Sequence, residues 1–415
     1  MSAAGTTEVD IAIVGGGMVG ASLALALAGT QRRVLLVEAV VPDSDWQPSF
    51  DERTTALGNG SRRVFETLGV WPHLAAHAAP VREIRVSDAG HAGAARLSAS
   101  GQGLEALGYV VPNRAIGRAL WQQLAAQPAL AICNPAQVTQ LRLDREAARL
   151  LIGATAAGGG GGGAVEHVTA RVVVAADGAQ SLVRAAAGIG AELEDYEQVA
   201  VVVHVATDLP AAGIAYERFT PTGPLAVLPL ADGRYTVVWT LSPQRARDVC
   251  ALDDASFAVA LQADFGWRIG RILRVGARAA YPLRLSRAER MVGERAVLVG
   301  NAAQALHPVA GQGFNLGLRD AALLAEILAA APDPGAAAVL EDYERRRESD
   351  RRGMIGFTDG LVRLFASGRP GVAAARNLGL ALFDLAPGAK RALSRVSWGF
   401  GDEAPRLLRG LPVAR

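Results

Sequence analysis

"VDIAIVGGGMVGASLALALAGTQRRVLLVEA", residues 9–39, decides the fold. Ile11, Ile13 and Val14 are β-branched members of a short apolar run, which suits a buried strand. Ser22 to Gly29 is rich in Ala and Leu, residues that favour helix. "RVLLVE" is a second apolar run with the length and flanks of a buried parallel strand. Strand, glycine turn, helix and strand make one βαβ unit, whose crossover is expected to be right-handed. The glycines are spaced Gly15-x-Gly17-x-x-Gly20, and Glu38 ends the second strand 18 residues beyond Gly20. That spacing predicts a dinucleotide site. Gly15 permits a tight turn, Gly17 lets a pyrophosphate approach the backbone, and Gly20 lets helix and strand pack closely. The helix N-terminus stabilises phosphate charge, and Glu38 accepts hydrogen bonds from ribose hydroxyls. A carboxylate there repels a 2′-phosphate, so FAD or NAD is expected rather than NADP.

Two more strand ends carry small or polar residues. "VVVAADGAQSLVR" places Asp177-Gly178 at the end of a buried strand, and "LVGNAAQALHPVAGQGFNLGLRDA", residues 298–321, places Gly300-Asn301 at the end of another before turning into a helix. Three such ends suit a long extended ligand crossing several strand tips. Elsewhere, "GYVVPN" reads as a strand stopped at Pro112, and "RAIGRALWQQLAAQ" has helical spacing. "VTQLRLDREAARLLIGAT" and "AVEHVTARVVVAADG" read as two strands joined through Gly158–Gly163, a hairpin loop and not a phosphate loop, because no Lys-Ser/Thr or helix follows. Residues 196–240 alternate strand-like runs with Pro, Gly and Asp, which predicts a mostly antiparallel sheet outside the nucleotide unit. From Asp320 the pattern is mainly helical, broken at "PDPG", residues 332–335.

The chain has 415 residues, half of them hydrophobic and a fifth charged, enough for two or three packed domains. A net charge of +2 gives no electrostatic case for nucleic acid. From Arg351 onward, eleven Lys and Arg face four Asp and Glu, a balance of +7 that leaves −5 for the rest. This basic segment reads either as a contact for an anionic membrane or acidic partner, or as a solvated helical face. Cys133 and Cys250 stand far apart and form no Cys-x-x-Cys pair, so neither a metal site nor a redox dithiol is expected. The first ten residues have neither the basic nor the apolar region of a signal peptide, and no uninterrupted apolar run reaches ~18 residues.

The Gly triplet, Asp177-Gly178 and Gly300-Asn301, in that order, resemble the class A flavoprotein monooxygenases over nearly the whole chain. "DERTTALGNGSR", "YERFTPTGPLAVLPL", "FGWRIG", "AYPLRL" and "ESDRRGMIGFTDGLVRLFA" further resemble the ubiquinone-biosynthesis hydroxylases that act on polyprenyl methoxyphenols. The resemblance implies an aromatic hydroxylase fold: a Rossmann-like α/β domain for FAD over residues 1–75, 105–190 and 280–335, a mostly antiparallel β-sheet substrate domain over 76–104 and 191–279, and a C-terminal helical region over 336–415. It implies that the Gly300-Asn301 tip meets the ribityl chain, with Asn301 where relatives carry an acid. Asn keeps an acceptor and adds two donors. It places Gly311, Gln312, Gly313 and Asn315 at a helix mouth against the flavin ring, where backbone N–H groups stabilise the reduced anion.

Arg53 and Arg114 match family positions near the FAD, the alternative for each being an exposed arginine. Asp177 either helps close the pyrophosphate region or caps the helix at "SLVR". Gln304 stands where many relatives have His, and His307 is a weak candidate for a general acid, the alternative being a structural histidine. The implied reaction takes NAD(P)H and dioxygen and hydroxylates a polyprenyl phenol through a flavin C4a-hydroperoxide. The stretch from Tyr216 to Trp239 is expected to wall the substrate, with no single residue marked as catalytic. A substrate with an isoprenoid tail implies a cytoplasmic protein at the inner face of the membrane, or one docked to other ubiquinone-biosynthesis proteins. A flavin-dependent prenyl reductase and a non-catalytic lipid-binding chaperone on the same fold are the alternatives.

Overall fold

The computed structural model describes residues 6–41, 51, 53–91, 93–154, 166–306, 311–366 and 404–414, with isolated positions between 377 and 390. His307, Pro308, the Gly158–Gly163 loop and most of the basic segment past residue 366 lie outside the described residues.

In chain order the first elements are β1 (Thr7–Val14), α1 (Met18–Ala28), β2 (Val34–Val37), β3 (Thr54–Gly58), α2 (Asn59–Thr67), α3 (Trp71–Leu74), β4 (Ala79–Val81), β5 (Glu83–Asp88) and β6 (Ala94–Ser98). Next come β7 (Gly108–Pro112), α4 (Asn113–Ala125), β8 (Leu130–Cys133), β9 (Ala136–Leu143), β10 (Ala148–Ala154), β11 (Glu166–Ala175) and α5 (Leu182–Ala186). The second half holds β12 (Ala191–Thr207), β13 (Ile214–Thr220), β14 (Gly223–Pro229), β15 (Tyr235–Leu241), α6 (Pro243–Cys250), α7 (Asp254–Phe265) and β16 (Ile272–Ala288). It closes with β17 (Val292–Gly293), β18 (Ala296–Leu298), β19 (Gln304–Ala305), α8 (Gln312–Ala330) and α9 (Ala337–Ala366).

The first sheet runs β17-β18-β11-β1-β2-β8, with β10 and β9 added beside β11. β18, β11, β1, β2 and β8 are mutually parallel, so their carboxyl ends share one edge. The register sets Val14 beside both Ala175 and Val37, and Ala175 beside Leu298. α1 is apolar on every side and buries Gly20 to Leu27, as a helix must when it lies between a sheet and other helices, here α4 and α8.

The second sheet runs β19-β16-β12-β15-β14-β13-β5-β6 and is antiparallel except where β13 meets β5. One face is closed by α6 and α7, through a core of Val201, Val203, Val237, Trp239, Phe257, Leu261 and Phe265. A small sheet, β3-β7-β4, lies between the two large ones.

Two expectations need correction. The segment around residues 138–154, read as one strand, is a hairpin of β9 and β10, because Asp144 Oδ1 accepts from the N–H groups of Glu146 and Ala147 at 2.9 and 3.0 Å and turns the chain. The helices α6 and α7 were not expected at all. Their caps are plain in retrospect: Ser242 precedes Pro243, and Asp253 accepts from Ser256 N–H at 2.8 Å.

Trp239 is fully buried and meets Phe257 edge-on, with ring centroids 5.7 Å apart, while its indole N–H has no hydrogen-bond partner. Trp239→Ala should cost about 3–5 kcal/mol. Trp239→Phe should cost much less, since it keeps a ring and removes an unsatisfied donor. Urea denaturation followed by circular dichroism checks both.

Candidate active site

The turn after β1 is built on backbone contact. Gly15 has φ +102°, and a Cβ there would stand 2.4 Å from the carbonyl oxygen of Ala176. A Cβ on Gly20 would stand 1.9 Å from the Gly15 oxygen. Both positions therefore exclude any side chain. Gly17 begins α1 with no side-chain cap, and no acid occupies the first turn, so the helix mouth presents backbone N–H groups. The buried carboxylate of Glu38 accepts from Gly16 N–H at 2.5 Å through Oε2 and from Val40 N–H at 2.8 Å through Oε1. Trp121 was not singled out in the sequence, yet its indole donates to Gly16 O at 3.1 Å and braces the loop from α4.

Asp177, at the tip of β11, uses Oδ2 to accept from Leu182 and Val183 N–H at 2.8 and 3.3 Å, which is the capping role. Its Oδ1 is buried with no hydrogen-bond partner. Gly178 and Gly313 have no heavy atom within 4 Å of where a Cβ would stand. An orphaned acceptor, open space at two glycines and an uncapped helix mouth fit a dinucleotide lying along the strand tips.

At the tip of β18, Gly300 has φ +58° and packs on Val19 of α1. Asn301 is exposed, and its side chain bonds to no other described residue. Gly311 takes φ +60° to start α8. Asn315 differs from expectation. Its Oδ1 accepts from Gly58 N–H and Ser61 Oγ at 3.0 and 2.6 Å, and its Nδ2 donates to Ala56 O and Gly311 O at 2.8 and 2.9 Å. With every amide site filled by protein, Asn315 holds the helix mouth in place. Gln312, next to the αL residue, is buried.

Behind this tip lies a buried ionic network that sequence reasoning missed. Asp320 is completely buried; its Oδ2 accepts from Gly300 N–H at 3.1 Å and Gln304 Nε2 at 2.7 Å, and its Oδ1 accepts from Arg347 Nε at 2.8 Å. Arg347 also meets Asp350 at 2.5 Å, and Asp350 meets Arg319 at 2.8 Å. Burial opposes the Arg347 charge, but Asp320 and Asp350 outweigh it and push its pKa above the usual value. Gln304 is thus a link between strand tip and helix. Asp320 stood within the quoted stretch, whereas Arg347 lies in "YERRRESDRR", which reads as a solvated face.

Arg53 Nε bonds Asp51 at 2.5 Å, and its guanidinium lies 4.7 Å from the ring centre of Tyr281, whose hydroxyl also donates to Asp51 at 3.2 Å. Tyr281 pairs with Ala200, which faces away from the α6 and α7 core, so the open face of the second sheet turns toward Asp51 and Arg53. Arg114 is exposed at the start of α4. Across that open face one register row joins Val86, Glu217, Ala226, Val238, Val202 and Ala279. All but Val202 are half-buried, and α9 packs against β13 and β14. β19 pairs with β16, tying the approach to α8 to this sheet.

Residues 8–358 match the family model described as FAD binding domain. The chain belongs to this FAD-binding family. Over 97% of its length it is 39% identical to the ubiquinone hydroxylase UbiL of Rhodospirillum rubrum, covering 93% of that protein. It is 34% identical to the 3-demethoxyubiquinol 3-hydroxylase of Escherichia coli, over 94% of this chain and 98% of that one. Among solved structures, p-nitrophenol 4-monooxygenase PnpA from Pseudomonas putida superposes with a TM-score of 0.77 at 20% identity, covering 94% of this chain and 97% of the other. The flavoprotein is thus an FAD-dependent monooxygenase of the ubiquinone-hydroxylase group. Its aromatic hydroxylase fold is the expected one.

Gly20→Val should abolish FAD retention, since a branched side chain cannot fit against Gly15 O; loss of visible absorbance in the purified protein checks it. Asp320→Ala leaves Arg347 buried without its main partner and should lower stability by about 3–5 kcal/mol. Thermal unfolding of the holoprotein measures it.

Proposed function

We propose that this flavoprotein hydroxylates the ring of a phenol bearing an isoprenoid tail, with NAD(P)H as reductant and dioxygen as the oxygen source. The row of Val and Ala side chains around Glu217 on the second sheet, turned toward Arg53, carries the reading, because Val and Ala leave room for a flat ring where larger residues would fill the space. Gly15, Gly17, Gly20 and Glu38 would hold the adenosine and pyrophosphate end of FAD. Asp177, Arg114 and Arg53 would flank its middle, and Asn301 with Gly311 to Gly313 its flavin end. Bound FAD would supply the activation of dioxygen. The chain would orient the ring and keep water from it.

The substrate's tail implies contact with a membrane surface or a lipid-carrying partner. No helix among the described residues is long and apolar enough to cross a membrane. The basic C-terminal segment supports peripheral contact, though Arg351 within it is buried and donates to Ala288 O at 2.6 Å. Leu407 and Leu408 are core residues. Truncation would therefore damage the fold, and substitution is the sound test. Arg391→Gln with Arg395→Gln should weaken binding to phosphatidylglycerol vesicles by roughly five-fold per charge, measured by flotation.

Incubation with a short-tailed 6-methoxyphenol, NADH or NADPH and labelled dioxygen should yield a yellow enzyme and a product carrying one labelled ring oxygen. Reduction of the tail with no label incorporated would instead favour a prenyl reductase.

A further inference from the structure

Among the six residues of the half-buried row, Glu217 alone is ionisable. Its neighbours on β13, Tyr216 and Arg218, point to the closed face: Tyr216 Oη donates to Arg268 O and Arg218 Nε to Asp264 O, both at the α7 side. Strand alternation then sends Glu217 to the open face. It sits between Val86 on β5 and Ala226 on β14. It is half-buried, on strands against which α9 packs. Its carboxylate makes no hydrogen bond or ion pair within the described structure, although buried carboxylates are otherwise paired here, as Asp320 is.

We propose that Glu217 meets the phenol hydroxyl of the substrate and takes its proton as the ring is oxygenated. This rests on the phenol-hydroxylase reading above. The phenol O–H bond breaks, its electron pair enters the ring and makes the ring carbon more nucleophilic, and the proton moves to a Glu217 carboxylate oxygen. The oxygen atom added comes from dioxygen, activated at the expense of NAD(P)H. Burial raises the Glu217 pKa to about 7, and no charged neighbour contributes. A phenol ordinarily ionises near pH 10. A carboxylate near 7 is a stronger base toward it than an ordinary one and is still half ionised at neutral pH. Two charged groups on flanking elements are engaged elsewhere. Asp88 on β5 meets His91 Nδ1 and Asn377 Nδ2, both at 3.2 Å, and Asp359 on α9 accepts from Tyr196 at 3.3 Å.

The proposal fixes the sign of two pH effects. Because the folded carboxylate holds its proton to higher pH than the unfolded one, Glu217 lowers stability as pH rises from the ordinary carboxylate range to about 7, with the full loss above. Activity needs the ionised form, so turnover rises over the upper part of the same window.

The test compares the holoprotein with Glu217→Gln and Glu217→Asp, using FAD absorbance to certify the fold. Glu217→Gln should melt at a higher temperature than wild type at pH 8 and at the same temperature at pH 5. Its turnover of the short-tailed methoxyphenol should fall roughly 100-fold or more, with KM little changed and the rise near pH 7 gone. Glu217→Asp should recover part of the rate. The dissociation constant of 2-methoxyphenol, titrated into the oxidised holoenzyme, should vary with pH through about 7 in wild type and be flat in Glu217→Gln. A variant with wild-type turnover and an unchanged pH profile overturns the assignment to Glu217 alone. A wild type that binds FAD but not 2-methoxyphenol overturns the phenol reading together with it.

Discussion

Backbone pressed on backbone is the constraint from which the rest follows. Gly15 lies so close to Ala176, and Gly20 to Gly15, that no Cβ fits at either position. The contact draws the tips of β1 and β11 together and seats α1 directly above them. The parallel register then brings the β2 and β18 tips to the same edge, so Glu38, Asp177 and Gly300 end up in line though they come from distant parts of the chain. A long ligand needs that line, and small residues at its centre are what allow it. Gly317 repeats the device on α8, where a Cβ would stand 3.0 Å from the Gly300 Cα.

How much of this the sequence discloses depends on range. The βαβ unit is local: its periodicity, glycines and terminal acid fall within some thirty residues, and they read correctly. The strands from β12 to β15 also read correctly, because alternation is local too. What stays hidden depends on pairing across distance. β13 joins β5 in parallel, about 130 residues away, and nothing local announces it. The Asp320–Arg347 pair crosses between two helices, and the arginine sits in a charged run whose obvious reading is solvent exposure. Asn315 looks like a ligand-facing amide until its four protein partners are seen. Arg351 belongs to the interior, so a tally of tail charge overstates what the surface presents.

The two faces of the second sheet obey different rules. Against α6 and α7 the strands present Trp239, Val237, Val201 and Val203, which interlock with Phe257 and Phe265 and leave no room. On the other face, one end is covered where Ala215 and Leu230 meet Ala79, Val81 and Val110 of the small sheet, and the far end closes on Asp51 and Arg53 through Tyr281. Between these seals the row is Val and Ala apart from Glu217. Core-sized residues there would fill more of the space beneath α9, which packs against β13 and β14.

Asp320 and Glu217 show how one physical problem takes two forms in a single chain. A carboxylate removed from water must find partners or give up its charge. Asp320 finds Arg347, Gln304 and a backbone N–H behind the tip of β18. Glu217 has no such partners among the described residues, and burial raises its pKa to about 7. A purely structural residue gains nothing from that arrangement, since Gln at the same place would keep the shape without the cost of the charge. A lone carboxylate in an apolar slot makes physical sense when something that enters the slot brings the missing hydrogen-bond donor with it. A phenol does so, and its apolar ring fits the Val and Ala walls that leave Glu217 unpaired.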